Sequence, residues 1–183
     1  MTIPPNSGKI LNKTEKLRKA RGIIYGPFYF AMNLFEIKKK IRELWPKLKD
    51  IWLWDKKYYL LTFNQLEQYS EIARKAKIVF PDGTEVVFGE LINSGDYWDC
   101  DNFSVGADFL VKLWGKIEAE RNKIPKLPLV YGKAMGSRFN DKKETHALNW
   151  ALTNDDLYFN DHDSGGKVWR CNPKTDIIFF LSV

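Results

Sequence analysis

The stretch HALNWALTNDDLYFND, residues 146–161, decides the fold, because it predicts two antiparallel β-strands joined by a tight turn. Side chains alternate in character along HALNWALT, which is typical of a strand with two different faces. The polar residues NDD that follow favour a turn, so LYFND would pair back against HALNWALT. This pairing would place Asp161, or its neighbour Asn160, on the strand beside the one that carries His146.

Further strands are predicted around this pair. LPLVYGKAM precedes it, KVWRC and TDIIFFLSV follow it, and the aromatic-rich IWLWDKKYYLLTF (51–63) is strand-like as well. The turn sequences TNDD (153–156) and DSGG (163–166) separate the later strands. The C-terminal third of the chain therefore predicts an antiparallel sheet.

Helices are predicted ahead of that sheet, because apolar residues recur there every three or four positions. A hairpin, KIVFPDGTEVVFGE, interrupts them. Helices followed by an antiparallel strand block indicate an α+β fold. The predicted helices run from Pro27 to residue 45, from residue 65 to 77 behind a cap at Asn64, and onward from about Cys100 behind a cap at Asp96 or Asp99.

The length and the charge distribution predict one domain with a basic appendage. The chain has 183 residues, which suits a single domain. Residues 1–50 hold 12 Lys/Arg against 4 Asp/Glu, a net of +8, whereas the whole chain carries +6. We therefore predict a basic, partly helical extension over 1–50 and an α+β domain over 51–183. The extension could bind nucleic acid or a protein partner, or it could be a solvated lysine-rich face.

The composition also limits the cellular setting. No segment approaches the roughly 18 apolar residues of a membrane helix, and the first residues lack the apolar core of a secretory signal. The two cysteines, Cys100 and Cys171, do not make a disulfide framework. The sequence predicts a cytoplasmic or virion-associated protein with no membrane partner. The spacing of its cysteines and histidines does not match a zinc site.

Cys100 is the candidate nucleophile of the chain. Backbone N–H groups at a helix N-terminus favour a thiolate and can stabilise a neighbouring oxyanion. A nearby imidazole could take the thiol proton, and His146 is the candidate base. An acid or amide on the adjacent strand would hold the ring through its other nitrogen and fix the tautomer. Alternatively, Cys100 is a small apolar residue on the inward face of its helix.

The segment DCDNFS, with HALNWAL and LYFNDHDSGGKVW downstream, resembles the papain-like and transglutaminase-like cysteine enzymes. It is similar in particular to bacterial transglutaminase-like cysteine proteinases, to phage-encoded relatives and to the C-terminal protease domain of fungal agglutinins. Members typically have an Asp-Cys-Asp core, then His-Ala on a strand, then a strand that ends in an acid or amide before a turn and a Trp. The resemblance covers about residues 93–170 and implies a papain-like α+β fold, with helices followed by an antiparallel sheet.

The resemblance also implies catalytic roles for four residues. Cys100 would be the nucleophile, His146 the base and Asp161 the residue that orients it. Asn93 would help to hold an oxyanion, in the place of a more usual glutamine. The NlpC/P60 peptidases are a weaker match, because they continue from Asp-Cys with Ser-Gly where this chain has Asp-Asn.

The orienting residue and a metal stay open. Relatives often carry Glu-Pro-Gln where this chain has DHD, so Asn160 and Asp163 are alternatives to Asp161. Some agglutinin relatives need a divalent cation, for which Asp99, Asp101 and Asp163 could supply oxygen ligands. Unless they cap the helix or bind a cation, Asp99 and Asp101 would raise the pKa of the Cys100 thiol.

These residues predict a cysteine hydrolase or acyltransferase that acts on amide bonds of a protein or peptide substrate, as a peptidase or a transglutaminase does. The alternative is a non-catalytic viral or mobile-element protein whose basic N-terminal face binds nucleic acid or a protein partner. The enzyme requires Cys100, His146 and an acid to converge at an open cleft. The binding protein would bury Cys100 and bind in a salt-sensitive manner.

Three smaller predictions concern single side chains. His162 lies in a polar turn and is predicted to be exposed. Cys171 is predicted to be a packing residue. An aromatic set could line a sugar-binding face or form core; its members are Trp52, Trp54, Tyr58 and Tyr59.

Overall fold

The computed structural model describes residues 31–93, 99–123, 128–139 and 144–183, the first range without the side chains of residues 92 and 93. Short strands and helices alternate in the first half of this described chain, and longer strands fill the second half. In order, the elements are β1 (Ala31–Asn33), α1 (Leu34–Leu44), β2 (Asp50–Trp52), β3 (Lys57–Tyr59), α2 (Phe63–Arg74), β4 (Lys77–Val79), β5 (Glu85–Val87), a 3-10 helix (Phe88–Asn93), α3 (Cys100–Arg121), β6 (Tyr131–Arg138), β7 (His146–Leu152), β8 (Leu157–Asp161), β9 (Lys167–Arg170) and β10 (Ile177–Ser182).

A six-stranded sheet in the order β2-β10-β6-β7-β8-β9 forms the centre of the described chain. Neighbouring strands run antiparallel, except that β2 lies parallel to β10 at one edge. Two short antiparallel pairs, β1 with β3 and β4 with β5, lie outside this sheet. The predicted α+β class with a mostly antiparallel sheet is confirmed.

β7 is covered on both faces, which explains why almost every one of its residues is buried. Trp150 packs in the main core with Ile41 of α1. On the other face Ala151 packs in a second cluster with residues of α2 and α3. The Asn149 side-chain amide donates to the Ser104 carbonyl of α3 at 2.8 Å. The sheet therefore lies between α1 on one side and α2 with α3 on the other.

The first helix begins later than predicted. The prediction started it at Pro27, which lies outside the described residues, but α1 begins at Leu34. Asn33 is its N-cap: the side chain accepts hydrogen bonds from the Phe35 and Glu36 backbone N–H groups, and the Glu36 carboxylate accepts from the Asn33 N–H at 2.9 Å. This capping box sets the start of the helix. The three residues before Leu34 pair with β3 instead.

The second helix shows the same kind of error. The prediction placed its cap at Asn64, but the structure places it at Thr62. The Thr62 hydroxyl accepts from the Gln65 N–H at 3.2 Å, and the Gln65 side chain accepts from the Thr62 N–H at 2.9 Å. A T-x-x-Q capping box therefore outweighs the asparagine two residues later. The helix ends at Arg74, three residues earlier than predicted.

The third helix starts where the sequence indicates. Asp99 is the N-cap of α3, and its carboxylate accepts from the Asn102 N–H at 3.4 Å. Asp96, the other candidate cap, lies outside the described residues. Phe103 and Ala107 are buried on the inward face of the helix, against Phe88. Cys100 is therefore the first residue of a 22-residue helix that packs across the sheet.

The remaining short elements refine the prediction. The hairpin of β4 and β5 is confirmed, with Gly83 of the PDGT turn at φ +86°, where a side chain would be strained. The strand predicted over 51–63 is instead two short strands, β2 and β3, because residues 53–56 turn away between them.

The division into an extension over 1–50 and a domain over 51–183 stays a prediction. Residues 1–30 lie outside the described chain. Ile37 and Ile41 of α1 are fully buried in the main core beside Ile51. Among the described helices, none is both long enough and apolar enough to cross a bilayer. The cytoplasmic or virion-associated location stays a prediction.

Candidate functional site

The imidazole of His146 and the carboxylate of Asp161 meet at the end of the sheet where β7 begins and β8 ends. His146 Nε2 lies 3.1 Å from Asp161 Oδ2, and the two side chains are 13% and 5% exposed. The register explains the contact. Asn149 pairs with Asn160, so Asp161 lies across from Leu148 and on the same face as His146. The predicted proximity of His146 and the strand-end acid is therefore present.

The Asp161 carboxylate is held at both oxygens. Oδ2 contacts His146, and Oδ1 accepts from the Ser164 backbone N–H at 3.2 Å. Burial alone would raise the pKa of Asp161, but the hydrogen bonds from His146 and Ser164 lower it below its ordinary value. An ionised Asp161 accepts a hydrogen bond from Nε2–H, which fixes the tautomer of the His146 ring.

The Cys100 sulfur lies against the first residues of β7. The Ala147 N–H donates to Cys100 Sγ at 3.4 Å, so the thiol sits beside the residue that follows His146. The sulfur is at the first position of α3, where the positive end of the helix dipole favours a negative charge. Cys100 is half-buried and contacts the backbone of the residue that follows His146.

The resting thiol is neutral. Burial raises the pKa of Cys100 most, the Ala147 hydrogen bond lowers it, and the negative charges of Asp99, Asp163 and Asp101 raise it further. The net shift is upward, so helix position alone does not create a thiolate here. The negative charges of the flanking aspartates thus oppose ionisation of the thiol, although Asp99 caps the helix. A base is therefore needed to remove the proton.

A cleft of about 190 Å³ lies beside the pair. β9 supplies part of its wall, because Lys167 pairs with Asp161 and Trp169 pairs with Phe159 across the β8–β9 ladder. Phe139 stands edge-on to the His146 ring, with centroids 6.4 Å apart. The lining residues are Phe139, Glu144, His146, Asp161, Ser164, Lys167 and Trp169.

Sequence reasoning missed the aromatic wall of this cleft. Trp169 could have been found by pairing KVWRC with LYFND across the DSGG turn, because alternate residues of a strand share a face. No local sequence pattern predicts the contact between Phe139 and His146. Phe139 follows the end of β6, and tertiary packing brings its ring to the imidazole.

Two alternatives for the orienting residue are now separated. Asn160 faces the opposite side of the sheet, where its Oδ1 accepts from the Tyr131 hydroxyl at 2.9 Å and its amide donates to Ser70 Oγ at 3.0 Å. Asp161 makes the described contact with His146. Asp163, the third candidate, lies near the His146–Asp161 pair. The side chain of Asn93 lies outside the described residues, so its oxyanion role stays a prediction.

One histidine and two aspartates near the site form a cluster with the composition of a metal site. Ligand atoms of His146, Asp161 and Asp163 all lie within 4.8 Å of one another. Asp99 and Asp101, the other two predicted oxygen donors, are not members of this cluster. They lie at the N-terminus of α3. The hydrogen bond between their two carboxyl groups lowers the pKa of Asp99 and raises the pKa of Asp101.

His162 is buried, so the prediction that it is exposed is wrong. Only 2% of it is accessible, and its Nε2 lies 3.2 Å from the Tyr131 hydroxyl. Because that hydroxyl donates to Asn160, Nε2 must carry the proton, and Nδ1 has no hydrogen-bond partner among the described residues. Burial lowers the pKa of His162 to about 4, while Asp161 raises it and Arg74 lowers it.

His162 should make the fold sensitive to acid. Its pKa is about 4 when folded and about 6.5 when unfolded, so only the unfolded chain takes up a proton between these values. Stability is full above about pH 6.5 and falls as the pH drops, by about 2 kcal/mol at pH 5. Guanidinium unfolding of wild type and His162→Gln at pH 7.5 and 5.0 measures the difference. Equal losses in both proteins would contradict this origin.

Cys171 is a packing residue, as predicted. It is 7% exposed in the main core, and burial raises its pKa to about 12. Both cysteines are free thiols. Cys171 is thus a built-in control for the reactivity of Cys100.

Neither a protein-family model nor a curated protein matches the chain. Solved structures do match it. One, named PSL1a-E64 complex, is 18% identical with a TM-score of 0.58, and the match covers 84% of this chain and 50% of that chain. Another is Polyporus squamosus lectin bound to the human-type influenza-binding epitope Neu5Aca2-6Galb1-4GlcNAc; it is 17% identical with a TM-score of 0.54, over 84% of this chain and 49% of that one.

The chain is similar in fold to a lectin. It spans about half the length of these solved structures. Sequence identities of 17% and 18% show a shared fold and nothing finer, so the chemistry of this chain has to be argued from its own side chains.

These matches contradict the predicted family and function. The neighbours named are a lectin and not a peptidase, and no family model supports the papain-like or transglutaminase-like superfamily. The predicted amide-bond hydrolase or acyltransferase, with the classes thiol protease and viral protein, is corrected on this finding. So is the alternative, a viral binding protein with a nucleic-acid face. The partner that the comparisons name is a glycan, bound by the lectin.

Proposed function

We propose that Cys100 is a nucleophile that bonds covalently to an electrophilic carbon of a ligand. The observation that carries this proposal is the His146–Asp161 contact of 3.1 Å next to a thiol held by the Ala147 N–H. A histidine oriented by an ionised acid beside a thiol is the arrangement that activates a nucleophile. Asp161 supplies the orientation and His146 the base.

The proton path follows from the tautomer. Nε2 of His146 is hydrogen-bonded to Asp161, so we assign to Nδ1 the role of accepting the thiol proton. Because the pKa of Cys100 is raised, the proton moves to Nδ1 as the sulfur attacks, and not before a ligand is bound. The resulting imidazolium is stabilised by the Asp161 carboxylate and gives its proton to the oxygen that the attack on an epoxide releases.

The finer architecture that we propose is papain-like. The support is the placement of the thiol at the first residue of a long helix and of the imidazole and acid on neighbouring antiparallel strands. This proposal concerns the arrangement of elements around the site. It does not extend to the substrate of any family.

E64 is the sharpest probe of this proposal. One solved neighbour is named as a complex with E64. E64 is an epoxide: attack by Cys100 would form a sulfur–carbon bond, break a carbon–oxygen bond and leave a hydroxyl that takes the proton from the His146 imidazolium. We expect intact-protein mass spectrometry to show one added E64 and peptide mapping to place it on Cys100.

The controls lie in the same chain. Cys100→Ser should lose the adduct, and Cys171 should stay unmodified because it is buried. Folding of each variant is checked by circular dichroism. Modification of Cys171 at the rate of Cys100, or no adduct with folded wild type, would overturn the proposal.

A divalent cation at His146, Asp161 and Asp163 also stays a proposal. Its support is the 4.8 Å cluster of a nitrogen and carboxylate oxygens, a donor set that suits zinc better than magnesium. A cation there would occupy the base and so slow alkylation of Cys100. Calorimetric titration of wild type and Asp163→Asn with Zn²⁺, Mg²⁺ and Ca²⁺ tests it, and no binding heat with any of the three would reject it.

Carbohydrate binding is a second candidate function. Trp52 and Trp54 are 53% and 76% exposed, with rings 6.1 Å apart, and Trp52 also lies 5.5 Å from Phe180. Exposed indole faces can pack against the C–H face of a sugar ring. The other solved neighbour is named as bound to Neu5Aca2-6Galb1-4GlcNAc. Tyr58 and Tyr59 of the predicted aromatic set are buried and belong to the core.

The glycan candidate has its own test. We expect Neu5Aca2-6Galb1-4GlcNAc to quench tryptophan fluorescence of wild type, and Trp54→Ala to lose the effect. Phe35→Ala, an 80% exposed aromatic on α1, is the matched control. Absence of binding up to millimolar glycan, or equal binding by Trp54→Ala, would reject this surface.

A further inference from the structure

The turn between β8 and β9, residues 161–166, carries two acids of the site. It is closed by hydrogen bonds from the Gly166 N–H to the Asp161 carbonyl at 2.8 Å and from the Gly165 N–H to the His162 carbonyl at 3.2 Å. Gly165 and Gly166 have φ of +81° and +75°, which favours glycine at both. The position of Asp161 against His146 therefore depends on this turn.

Helix α2 holds the turn from outside the cleft. Arg74 Nη1 donates to the Gly165 carbonyl at 2.5 Å, and Ser70 Oγ donates to the Gly166 carbonyl at 3.3 Å. The Arg74 stem also packs on Gly166, where an added Cβ would lie 2.5 Å from Arg74 Cδ. The carbonyl groups of Gly165 and Gly166 thus both accept hydrogen bonds from side chains on one face of α2.

We propose that Arg74 is a positioning residue for the thiol site. By fixing the turn, it keeps Asp161 within hydrogen-bond distance of His146. Arg74 does not line the cleft. The Arg74 guanidinium donates to the Gly165 carbonyl through Nη1, and the ammonium of lysine, on a different stem, would reproduce this contact only in part. This inference rests on the proposed nucleophilic role of Cys100.

Arg74→Met tests the inference, because methionine keeps much of the apolar stem and removes the donors. We expect E64 alkylation of Cys100 to slow by about tenfold at pH 7, since a small displacement of an orienting group has a large effect on rate. The His146 imidazole N–H signal in a proton–nitrogen spectrum should broaden or shift. Arg74→Lys should recover part of both.

Lys75→Met is the matched control. Arg74 and Lys75 both contact the carboxylate of Glu71, at 3.4 and 2.9 Å. Of these two residues, Arg74 is the one with a described hydrogen bond to the turn. Exposed ion pairs of this kind contribute little, so Lys75→Met should react like wild type. A slowing equal to that of Arg74→Met would mean that the loss of Glu71 pairing, and not positioning, is responsible.

The outcomes separate the two proposals. If His146→Ala leaves alkylation unchanged, the proposed nucleophilic role fails whatever Arg74 does. If His146→Ala slows alkylation and a folded Arg74→Met does not, with an unchanged imidazole signal, Arg74 is not a positioning residue and the nucleophilic role stands. If Arg74→Met does not fold, Arg74→Lys and Ser70→Ala decide, and wild-type rates and signals in both would overturn the inference.

Discussion

Replacing His146 with alanine is expected to slow the reaction of Cys100 with E64 by about 100-fold or more at pH 7. The thiol pKa is raised by burial and by Asp99, Asp163 and Asp101, so few molecules carry a thiolate at that pH. A positioned general base typically contributes about 10²–10⁴ in rate, and His146 is the base that we propose. The measurement is the second-order rate of adduct formation by mass spectrometry.

The pH profile with iodoacetamide gives a second view of the same prediction. In a profile from pH 4 to 10, wild type should react faster than His146→Ala at neutral pH, because the proposed base removes the thiol proton. His146→Ala should gain reactivity only above about pH 8.5, where ordinary thiols ionise, because the pKa of Cys100 is raised. Cys171 is the internal control. Superimposable profiles for wild type and His146→Ala would show that the imidazole does not act on the thiol.

Asp161→Asn separates orientation from proton transfer. An amide can still contact Nε2, but it presents no negative charge to the imidazolium that forms during attack. We expect a loss smaller than that of His146→Ala, on the order of tenfold or more, because the base is still present. A rate equal to wild type would mean that the 3.1 Å contact is structural only.

The sequence was sufficient to place His146 and a strand-end acid together, but not to choose the acid. Alternation and the NDD turn predict the β7–β8 pair. Asn160 and Asp161 differ by one position, and a shift of one residue moves a side chain to the opposite face. Only the register, Asn149 with Asn160, assigns Asp161 to the His146 face. Register depends on packing across the whole sheet.

Helix starts were recoverable from the sequence, and the burial of His162 was not. N-x-x-E at Asn33 and T-x-x-Q at Thr62 are local capping boxes, and both set the observed starts. His162 is buried because its turn folds onto α2, through contacts separated by about ninety residues. No local pattern reports such a contact, and polar composition alone predicted exposure.

The second large effect concerns the core, and here Trp150→Ala is expected to destabilise the fold by about 3–5 kcal/mol. Trp150 is fully buried in β7, and truncation of a buried tryptophan leaves a cavity that neighbours fill only in part. Its Nε1–H also donates to the Ser182 carbonyl of β10 at 3.0 Å. The alanine variant leaves that buried acceptor without this donor, which adds to the loss.

Trp54→Ala is the matched control for this prediction, because it removes the same side chain from a position that is 76% exposed. Its unfolding free energy should stay within about 0.5 kcal/mol of wild type. Trp150→Phe should fall between the two, since it keeps a ring in the core and loses the hydrogen bond. Equal stabilities of Trp150→Ala and Trp54→Ala in guanidinium titrations would mean that β7 is not the centre of the sheet. Cys171 lies in the same core as Trp150, so Trp150→Ala should also expose Cys171 to iodoacetamide. Because His146 is the first residue of β7, loss of this core should disturb the thiol site as well.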